Sequence, residues 1–507
     1  MTKPTVASPL SIWIVLEEGR APDPGPLRLM SGLHHDPRYR IAAILRAPSV
    51  PPLSVALGWL LRVEAGLRPA STAPKAEAWG CKDIALSQAS TLAEDPDVII
   101  DFTMNPEVLS KAGRARHGLW RLDAFDPMAG LAATFDAAPT AGVRLYLAQG
   151  NQCRVLAQAM YDTKPLAART QAYLREKSVQ LILRELGRLA RDGVLVDGPL
   201  EGIETPQAPG AGVLAGYGAR IAGQAMNRLR MKLGQRLGAT PRQFRLILGR
   251  GTLDDFDPAS ATDITPRPRT YWADPFLFSH DDTLWCFFEE YDYRTGLGQI
   301  AVGRVSDTRI DYVGPALTAP HHLSFPNVFR HGADIFMIPE TNATRRIEVW
   351  RATDFPTGWS LHATALEGVR AADTLLVLRN GDWWLFTNIC NDSFGDFCSD
   401  LSVFCTSGPD LAWLVPHALN PVIIGSDRAR NAGRVVERDG RLFRLAQDNS
   451  GGVYGYALKV MEIDELGPDR YGERCVRHIT PDFRPGLIGC HHFDAADGRF
   501  VMDVRRP

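Results

Sequence analysis

The sequence of 507 residues predicts two domains, an α/β domain followed by an all-β domain built as a five-bladed β-propeller. Three observations lead to this prediction. Apolar segments alternate with helical patterns up to about residue 200. From about residue 265 the helical period disappears and one hairpin pattern recurs five times. Between them lies a Pro/Gly-rich and basic stretch, so we divide the chain into an α/β domain at 1–200, a linker at 201–240 and a propeller at 241–507.

The composition is that of an ordinary globular protein and excludes several classes. Apolar residues make up 45% and charged residues 22%, which rules out wholesale disorder, a coiled coil and a collagen-like fibre. Lys and Arg number 56 against 58 Asp and Glu, so we expect no nucleic-acid partner. The 8 cysteines include no CxxC pair, so we expect reduced thiols rather than a zinc site.

The first apolar run of the chain is short. Ile12–Leu16 is followed at once by Glu17, Glu18 and Arg20, whereas a signal peptide needs a longer apolar stretch and a small-residue cleavage site. No apolar run approaches the roughly 18–20 residues that cross a bilayer. We therefore expect a cytoplasmic protein in which Ile12–Leu16 belongs to the first strand.

The α/β domain is predicted from strands that alternate with helices. Ser11–Leu16, Arg40–Arg46 and Asp97–Phe102 are the strand candidates. Pro26–His34 is a short helix candidate, and Tyr173–Leu189 has apolar residues at helical spacing. Such alternation indicates a largely parallel sheet.

The segment between the two predicted domains is basic. From Thr205 to Leu253 there is no acidic residue, whereas eight are Arg or Lys. Residues 221–237 have the pattern of a basic amphipathic helix, whose apolar side would consist of Ile221, Met226, Leu229, Leu233 and Leu237. Two interpretations stay open: a helix that bridges two domains with a solvated basic face, and peripheral contact with anionic lipid headgroups or a lipid-linked substrate.

Five segments of the second half share one plan. Each has a polar start, an apolar strand, a tight turn with Asp, Gly or Asn, a second strand and a polar end. The starting residues lie 53, 46, 60 and 58 positions apart, and they are Asp274, Asn327, Asp373, Gly433 and His491. This is a stretched form of the period of about 40–50 residues that is typical of four-stranded propeller blades. Phe244–Leu248 precedes the first copy and is predicted to close the last blade.

A propeller would bring these strand ends to one face, because the first strand of each blade lines the channel and the second runs back antiparallel. The sequence therefore predicts a single polar rim. Its expected members are Asp274, Glu289 and Glu290 from blade one, Asn327 and Glu340 from blade two, Asp373 and Asn388 from blade three, Arg434, Gln447 and Asp448 from blade four, and His491, His492, Asp503 and Arg505 from blade five. Such a funnel suits a polyhydroxylated ligand, whose sugar rings could stack on Trp272, Tyr291, Phe325 and Tyr454.

The motifs TYWADPFLF, SFPNVF with FMIPET, AADTLLVLRNGDWWLFTN, GRVVERDGRLFRLAQD and FVMDVRR carry a resemblance. Through them, residues from about Phe244 to Arg506 resemble the propeller domain at the N-terminus of glucosamine inositolphosphorylceramide transferases. That domain is similar in turn to the five-bladed glycosidases of the arabinanase, xylosidase and invertase groups. In those glycosidases an Asp at the start of blade one is base or nucleophile, an Asp at the start of blade three orients it, and a Glu at the start of blade four is the acid. Asp274 and Asp373 match the first two positions.

Blade four departs from that pattern, because it starts with Asn431-Ala432-Gly433-Arg434 and has no carboxylate there. Hydrolysis by two carboxylates needs a protonated partner for the leaving oxygen. An arginine cannot supply a proton at neutral pH, but it can bind a phosphate or a carboxylate. This departure favours glycosyl transfer over hydrolysis, and the resemblance implies a role in cell-surface polysaccharide or glycolipid biosynthesis with a saccharide or glycolipid substrate.

In this interpretation Asp274 is the base or nucleophile, Asp373 orients it and Glu340 is a second carboxylate, while Arg434 and Arg505 neutralise charge. No cofactor is certain and no metal site is predicted; a nucleotide-sugar would be the donor. Two alternatives remain, a glycoside hydrolase in which Glu340 is the acid and a non-catalytic glycan-binding scaffold.

The first half, about Ser11 to Gly193, resembles the Rossmann-type fold of sugar-nucleotide and methionyl-tRNA formyltransferases, through DVIIDFTMN, HGLWRLDAFDP and GVRLYLAQGNQCRVLAQAMYDT. The residues that follow its third strand include Asn105, His117, Asp123 and Asp126. The family's Asn-x-His and its Gly-rich substrate loop cannot be laid over this chain, so we expect a degenerate domain in which formyl transfer is a minor alternative. No GxGxxG and no P-loop occur in this half, so nucleotide binding is not directly supported.

Overall fold

The structure is a computed structural model that describes residues 8–50, 54–67, 79–149, 152–195, 197–202, 209–236 and 244–506. The chain forms two compact units, one of residues 1–226 with 392–394 and one of residues 227–391 with 395–507. Among the described residues, no helix is both long and apolar enough to cross a membrane.

The first unit is built on an eight-stranded mixed sheet in the order β3-β2-β1-β4-β5-β6-β7-β8. Its strands are β1 (Leu10–Glu17), β2 (Tyr39–Ala47), β3 (Lys82–Ala85), β4 (Val98–Asp101), β5 (Leu119–Leu122), β6 (Thr140–Gln149), β7 (Gln152–Asp162) and β8 (Leu200–Gly202). The first five in this order are parallel, and β6, β7 and β8 each pair antiparallel with the preceding strand. The predicted parallel region is therefore present, whereas the relation to formyltransferases stays a prediction.

Within the part of this unit that the structure describes, five α-helices accompany the sheet. They are α1 (Pro24–His35), α2 (Val55–Leu67), α3 (Leu131–Phe135), α4 (Ala167–Lys177) and α5 (Val179–Asp192). Short 3-10 helices are Leu86–Thr91, Pro106–Arg114 and Asp123–Phe125. The helix predicted at Tyr173–Leu189 is thus two helices that meet at Ser178, where the Leu181 N–H bonds to the Ser178 carbonyl and tightens the turn.

A 26-residue helix, α6 (Ala211–Arg236), follows the first unit's strands. It contains the predicted helix at 221–237 except for Leu237, which lies outside the described residues. The helix begins ten residues earlier than the pattern predicts, because Tyr217 packs into an apolar cluster with Leu57 and Phe135.

The second unit is a five-bladed β-propeller, as the sequence predicts. Its first strands are β9 (Phe244–Arg250) and β10 (Thr262–Ile264). Blade one is β11 (Thr270–His280), β12 (Thr283–Asp292), β13 (Leu297–Val305) and β14 (Ile310–Leu317), and blade two is β15 (Ser324–His331), β16 (Asp334–Glu340), β17 (Ile347–Asp354) and β18 (Gly358–Ala365).

Blade three is β19 (Ala371–Arg379), β20 (Asp382–Ile389), β21 (Asp400–Thr406) and β22 (Leu414–Pro416), with the short β23 (Ile423–Ile424) added to β21. Blade four is β24 (Val436–Arg438), β25 (Arg441–Asp448), β26 (Ala457–Leu466) and β27 (Tyr471–Ile479). Blade five combines β28 (Phe493–Ala496) and β29 (Arg499–Arg505) with β9 and β10. Two further 3-10 helices are Asn342–Thr344 and Pro481–Phe483.

The last blade closes the ring with strands from both ends of the unit. β9 pairs antiparallel with β29, from Phe244 opposite Arg505 to Arg250 opposite Arg499. This confirms the predicted role of Phe244–Leu248. It also fixes the last blade to the first segment of the unit.

The recurring hairpin turns explain why the repeat is visible in the sequence. Both central residues have positive φ in Asp281-Asp282, Asn380-Gly381, Asp439-Gly440 and Asp497-Gly498. Two-residue turns of this hand match the twist of the flanking strands, and they favour Asn, Asp and Gly. The turn residues therefore recur because the same hairpin recurs.

Candidate active site

Bulges interrupt the first strands of three blades at the same place. The strand register shifts between Ala273 and Phe276, between Ser324 and Asn327 and between Ala372 and Leu375. Within each bulge one residue has positive φ, and these are Asp274 (49°), Phe325 (48°) and Asp373 (49°). Such a conformation costs a non-glycine residue about 1–3 kcal/mol. Its recurrence marks these three positions as structurally equivalent.

The start of blade two is therefore Phe325, and the prediction of Asn327 is wrong by two residues. Asn327 lies beyond the bulge and is buried. The sequence contains a signal for the correct alignment, because Pro326 follows Phe325 as Pro275 follows Asp274.

Asp373 and Glu340 meet at one arginine. Arg430 Nε lies 2.6 Å from Asp373 Oδ2, and Arg430 Nη2 lies 3.5 Å from Glu340 Oε2. Asn342 Nδ2 donates to Glu340 Oε1 at 2.7 Å. Burial raises the pKa of Asp373 to about 7 although Arg430 opposes this, and the nearby Glu340 carboxyl raises it further. Arg430 is not among the residues that the sequence predicts for the site.

A second group of the same site connects blade one to blade five. Asp503 is fully buried, and its carboxylate accepts the backbone N–H groups of Asp274, His491 and His492 at 3.0–3.1 Å. His491 Nδ1 lies 2.7 Å from Asp503 Oδ2, and its Nε2 lies 3.8 Å from Asp274 Oδ1. Asp503 thus fixes both the backbone of Asp274 and the ring of His491.

In this group the carboxyl of Asp274 has a pKa close to neutral pH. Burial raises the pKa of Asp274 to about 7, His491 opposes the rise, and the Asp503 and Asp373 carboxyls add to it. Burial lowers the pKa of His491, but Asp503 outweighs this and the net pKa is raised. Burial lowers the pKa of His492 to about 3, so that ring is neutral.

Glu289, on β12 opposite Ala273, belongs to the same site. Its Oε1 accepts the Tyr271 hydroxyl at 2.9 Å, and it lies 3.4 Å from His322 Nε2. Burial raises the pKa of the Glu289 carboxyl well above its usual range, and the Asp274 charge acts in the same direction. Burial therefore favours the protonated form of the Glu289 carboxyl, against the Tyr271 hydrogen bond that favours the charged form.

Glu290 and Trp272 point away from this group, contrary to the prediction. Glu290 Oε1 accepts Trp272 Nε1 at 3.2 Å, and its Oε2 accepts Gln299 Nε2 and the Tyr312 hydroxyl at 3.0 Å. Neighbouring residues of a strand face opposite sides of the sheet. Trp272 pairs with Glu290 and Ala273 with Glu289, so the two pairs face opposite sides of the blade, and the influence of the Asp274 charge on Glu289 places Glu289 on the side of the site.

Aromatic rings lie beside the charged groups. Tyr271 stacks on Tyr291 at 4.8 Å between ring centroids, and His491 stacks on Phe244 at 4.6 Å. Tyr454 is 42% exposed and lies 5.2 Å from the Arg430 guanidinium. Tyr291 and Tyr454 are thus near the site as predicted, whereas the Phe325 ring is fully buried.

Arg434 has a different environment from the one predicted. Its Nε and Nη2 bind the two oxygens of buried Asp494 at 2.6 and 2.7 Å, and Nη2 also donates to the Leu277 carbonyl. Its charge is therefore already balanced within the propeller. The preceding Gly433 has φ 142°, and a Cβ there would lie 2.1 Å from the Phe493 carbonyl oxygen, so this position cannot hold a side chain.

Four other expected site residues contact groups within the propeller. The Asn388 amide donates to the carbonyls of Asp400 and Ala429 and accepts the Asn431 N–H. The contacts of the other three are Gln447 with the Asn431 carbonyl, Asp448 with Lys459 and His478, and Arg505 with the Tyr454 carbonyl and the Phe244 ring. Substrate contact by these four residues stays a prediction.

The α/β unit's polar candidates also have local structural contacts. Asn105 Oδ1 accepts the Glu107 N–H and caps a 3-10 helix. Asp123 pairs with Arg144 at 3.1 Å, and Asp126 accepts the Met128 N–H at 2.7 Å. These contacts account for the three side chains without a substrate.

Asp274, His491 and Asp503 offer three ligand atoms within 4.8 Å of one another, the one such group among the described residues. A divalent cation could bind there. Asp503 accepts three backbone N–H groups, and these hydrogen bonds already explain why Asp274, His491 and Asp503 lie close together without an ion. The expectation that there is no metal stays a prediction.

Residues 257–484 match the family described as Glucosamine inositolphosphorylceramide transferase 1, N-terminal. A relative of that name from Oryza sativa subsp. japonica is 34% identical over 238 residues, which are 45% of this chain and 32% of the relative. The relative from Arabidopsis thaliana is 33% identical over 246 residues, or 46% of this chain and 32% of the relative. The match spans about a third of the length of these curated relatives, and the resemblance expected for the propeller is confirmed.

Solved structures similar to this chain include three glycoside hydrolases. Zg3597, a family 117 glycoside hydrolase from Zobellia galactanivorans, has a TM-score of 0.34 and 11% identity, covering 52% of this chain and 89% of that one. An exo-β-1,3-galactanase from Clostridium thermocellum has a TM-score of 0.35 and 12% identity, covering 50% and 57%. RS223 β-xylosidase has a TM-score of 0.35 and 12% identity, covering 48% and 94%.

Proposed function

We propose that this protein is a carbohydrate-active enzyme that transfers a glycosyl group at the propeller funnel, within cell-surface polysaccharide or glycolipid biosynthesis. The donor would be a nucleotide-sugar and the acceptor a saccharide or glycolipid. The names of the curated relatives, which specify glucosamine and inositolphosphorylceramide, support this choice of substrate class.

One observation carries the proposal. Asp274 and Asp373, from equivalent bulges in blades one and three, both have a pKa of about 7. A carboxyl with a pKa near the working pH can both take and release a proton, which is what acid–base catalysis requires. Glycan binding alone does not require two buried carboxyls of this kind beside Arg430 and His491, so their presence favours catalysis.

The proposed reaction is a single displacement at the anomeric carbon of the donor. The acceptor hydroxyl gives its proton to the Asp274 carboxylate as its oxygen bonds to the anomeric carbon. The bond to the donor phosphate breaks, and the nucleotide leaves with the electron pair as an anion that needs no proton. Asp503 acts as a positioning residue, because it holds His491 and the Asp274 backbone.

We assign the positive charge that binds the donor phosphate to a different arginine from the predicted Arg434. Arg434 has a protein partner at each of its three guanidinium nitrogens, namely Asp494 and the Leu277 and Val328 carbonyls, so we do not assign it to the donor. Arg430 is the arginine beside the Asp373 and Glu340 carboxyls, and it lies against the exposed Tyr454 ring. We assign to Arg430 the attraction of the donor phosphate.

The test uses nucleotide-activated hexosamines with inositolphosphorylceramide as acceptor and detects the product by mass spectrometry. Asp274→Asn and Asp373→Asn should each lower turnover about 10²- to 10⁴-fold. Asp281→Asn, in the exposed turn of blade one, is the matched control and should retain activity. Full turnover by both site variants would refute the assignment.

Hydrolysis is a second candidate that one observation favours. Burial and the Asp274 charge raise the pKa of the Glu289 carboxyl well above its usual range, so Glu289 could supply the acid that is missing from the start of blade four. The sequence assigned this role to Glu340, which instead contacts Arg430 and Asn342. Release of free sugar from aryl glycosides without an acceptor, lost in Glu289→Gln, would favour hydrolysis over transfer.

For the α/β unit we propose a formyltransferase-like fold that has lost the family's chemistry. The order β3-β2-β1-β4-β5 supports a Rossmann-type half. The structural contacts of Asn105, Asp123 and Asp126 support the loss of activity. The test is formyl release from a formyl-folate donor, which should be undetectable.

A further inference from the structure

The two halves of α6 have different surroundings. In the first half Tyr217 is buried, and its hydroxyl donates to Glu64 Oε1 and accepts the Ala167 N–H. Arg220 donates to the carbonyls of Thr134 and Phe135. From residue 222 to residue 233 every side chain is exposed. The first half is therefore anchored, and the second half stands in solvent.

The exposed half carries an apolar stripe. At 3.6 residues per turn, Ala222, Met226, Leu229 and Leu233 lie along one side of the helix. Met226 is 53% exposed, Leu229 53% and Leu233 48%. A stable helix normally buries such a stripe, so this one is suited to an external apolar phase.

Basic residues flank the stripe on both sides. At 100° per residue, Arg230 lies about 70° from the stripe's centre on one side, and Lys232 lies about 90° from it on the other. Arg228 adds a further charge on the polar face. No acidic residue occurs from Thr205 to Leu253. Long basic side chains beside an apolar stripe can lie along it and reach lipid phosphates with their charged ends.

We infer that residues 222–233 dock on an anionic membrane surface, with Met226, Leu229 and Leu233 in the acyl boundary and Arg230 and Lys232 at the lipid phosphates. The charge pattern favours lipid over a second copy of the chain, because two copies packed through this stripe would bring their basic flanks together. The helix lies on the surface rather than spanning it, since its charges interrupt the apolar stretch. This inference does not depend on the proposed function.

The experiment is sedimentation of the full chain with vesicles of phosphatidylcholine alone or with added phosphatidylglycerol. Binding to the anionic vesicles should be about tenfold tighter or more. High salt, about 1 M, should abolish the difference, because it shortens the screening length to about 3 Å. Equal binding to both vesicles, or no binding to the anionic ones in low salt, would overturn the inference.

The variants separate the stripe from the flanks. Met226→Ala/Leu229→Ala/Leu233→Ala keeps helix propensity and should lose binding, as should Arg230→Gln/Lys232→Gln. Gln224→Ala/Asn227→Ala, on the polar side of the same helix, is the control and should bind as wild type. Unchanged vesicle binding by the triple-alanine variant would refute the role of the stripe.

Two readouts separate this inference from its alternatives. Should the wild type be a dimer that the triple-alanine variant converts to a monomer, without vesicle binding, the occupant is a second copy and the inference is wrong. Turnover of water-soluble donor and acceptor should be unchanged in the triple variant, which would leave the proposed function intact whatever the vesicles show.

Discussion

Replacing Asp274 with asparagine should make the protein more stable at mildly alkaline pH, although it removes a group from the centre of the site. The Asp274 carboxyl is buried and lies among the Asp503 and Asp373 carboxyls. Ionising it there costs more than ionising it in water. Asparagine has nearly the same shape and no charge, so it removes this cost.

The magnitude follows from the change in pKa. Folding raises the pKa of Asp274 from 3.8 to about 7, and each pH unit of difference is worth about 1.4 kcal/mol, which gives about 4 kcal/mol. Between these two values the folded state keeps a proton that the unfolded chain has lost. Stability from this group is therefore full below pH 3.8, falls as the pH rises, and is lost above about 7.

The net gain in Asp274→Asn should be about 2 kcal/mol at about pH 8, because the variant also loses the attraction between Asp274 and His491. Urea unfolding of wild type, Asp274→Asn and the control Asp281→Asn at several pH values measures this. The gain should shrink towards about pH 5 and be absent in the control. A variant less stable than wild type at every pH, or one with the same pH slope, would refute the reasoning.

Three further outcomes are expected. Arg434→Met should cost about 3–5 kcal/mol in urea unfolding, because it leaves the buried Asp494 charge unpaired, and adding Asp494→Asn should restore most of the loss. Gly433→Ala should lower the free energy of unfolding by about 2 kcal/mol or more through its clash and its positive φ, whereas Gly440→Ala, which has open space, should cost about 1 kcal/mol. Glu290→Gln should leave kcat/KM unchanged in the transfer assay, since Glu290 faces away from the site; a loss like that of Asp274→Asn would contradict the register argument.

The propeller could be predicted from the sequence because its repeat is local. Each hairpin needs a two-residue turn of the same hand, and the residues that tolerate that conformation are few. Asn380-Gly381, Asp439-Gly440 and Asp497-Gly498 therefore mark the blades directly. Closure by Phe244–Leu248 could be predicted as well, since an unpaired strand before the first copy matches the strand that the last blade lacks.

The direction of each side chain could be predicted only in part. Glu289 and Glu290 are adjacent, so composition cannot tell which one faces the channel. The hairpin register sets the two on opposite sides of the blade, because it pairs Trp272 with Glu290, and the influence of the Asp274 charge on Glu289 identifies the side of the site. The bulge at Asp274 breaks the simple alternation along β11, and only the following proline indicates it.

The pairing of charges could not be predicted, because it joins residues distant in sequence. Arg430 lies 57 residues from Asp373, and Arg434 lies 60 residues from Asp494. Both arginines occur in the same short segment before β24. Nothing in the local sequence indicates that Arg430 pairs with Asp373 whereas Arg434 pairs with Asp494. Only the ring geometry makes that distinction.

The same geometry restricts which residues fit at the start of blade four. Gly433 in that start has no room for a side chain, since a Cβ there would lie 2.1 Å from the Phe493 carbonyl oxygen. A carboxylate at position 433 itself would thus require moving a blade-five strand. The charged groups that the site brings together are therefore Asp274, Glu289, Glu340 and Asp373 from blades one to three, Arg430 from the segment before β24, and His491 with Asp503 from blade five.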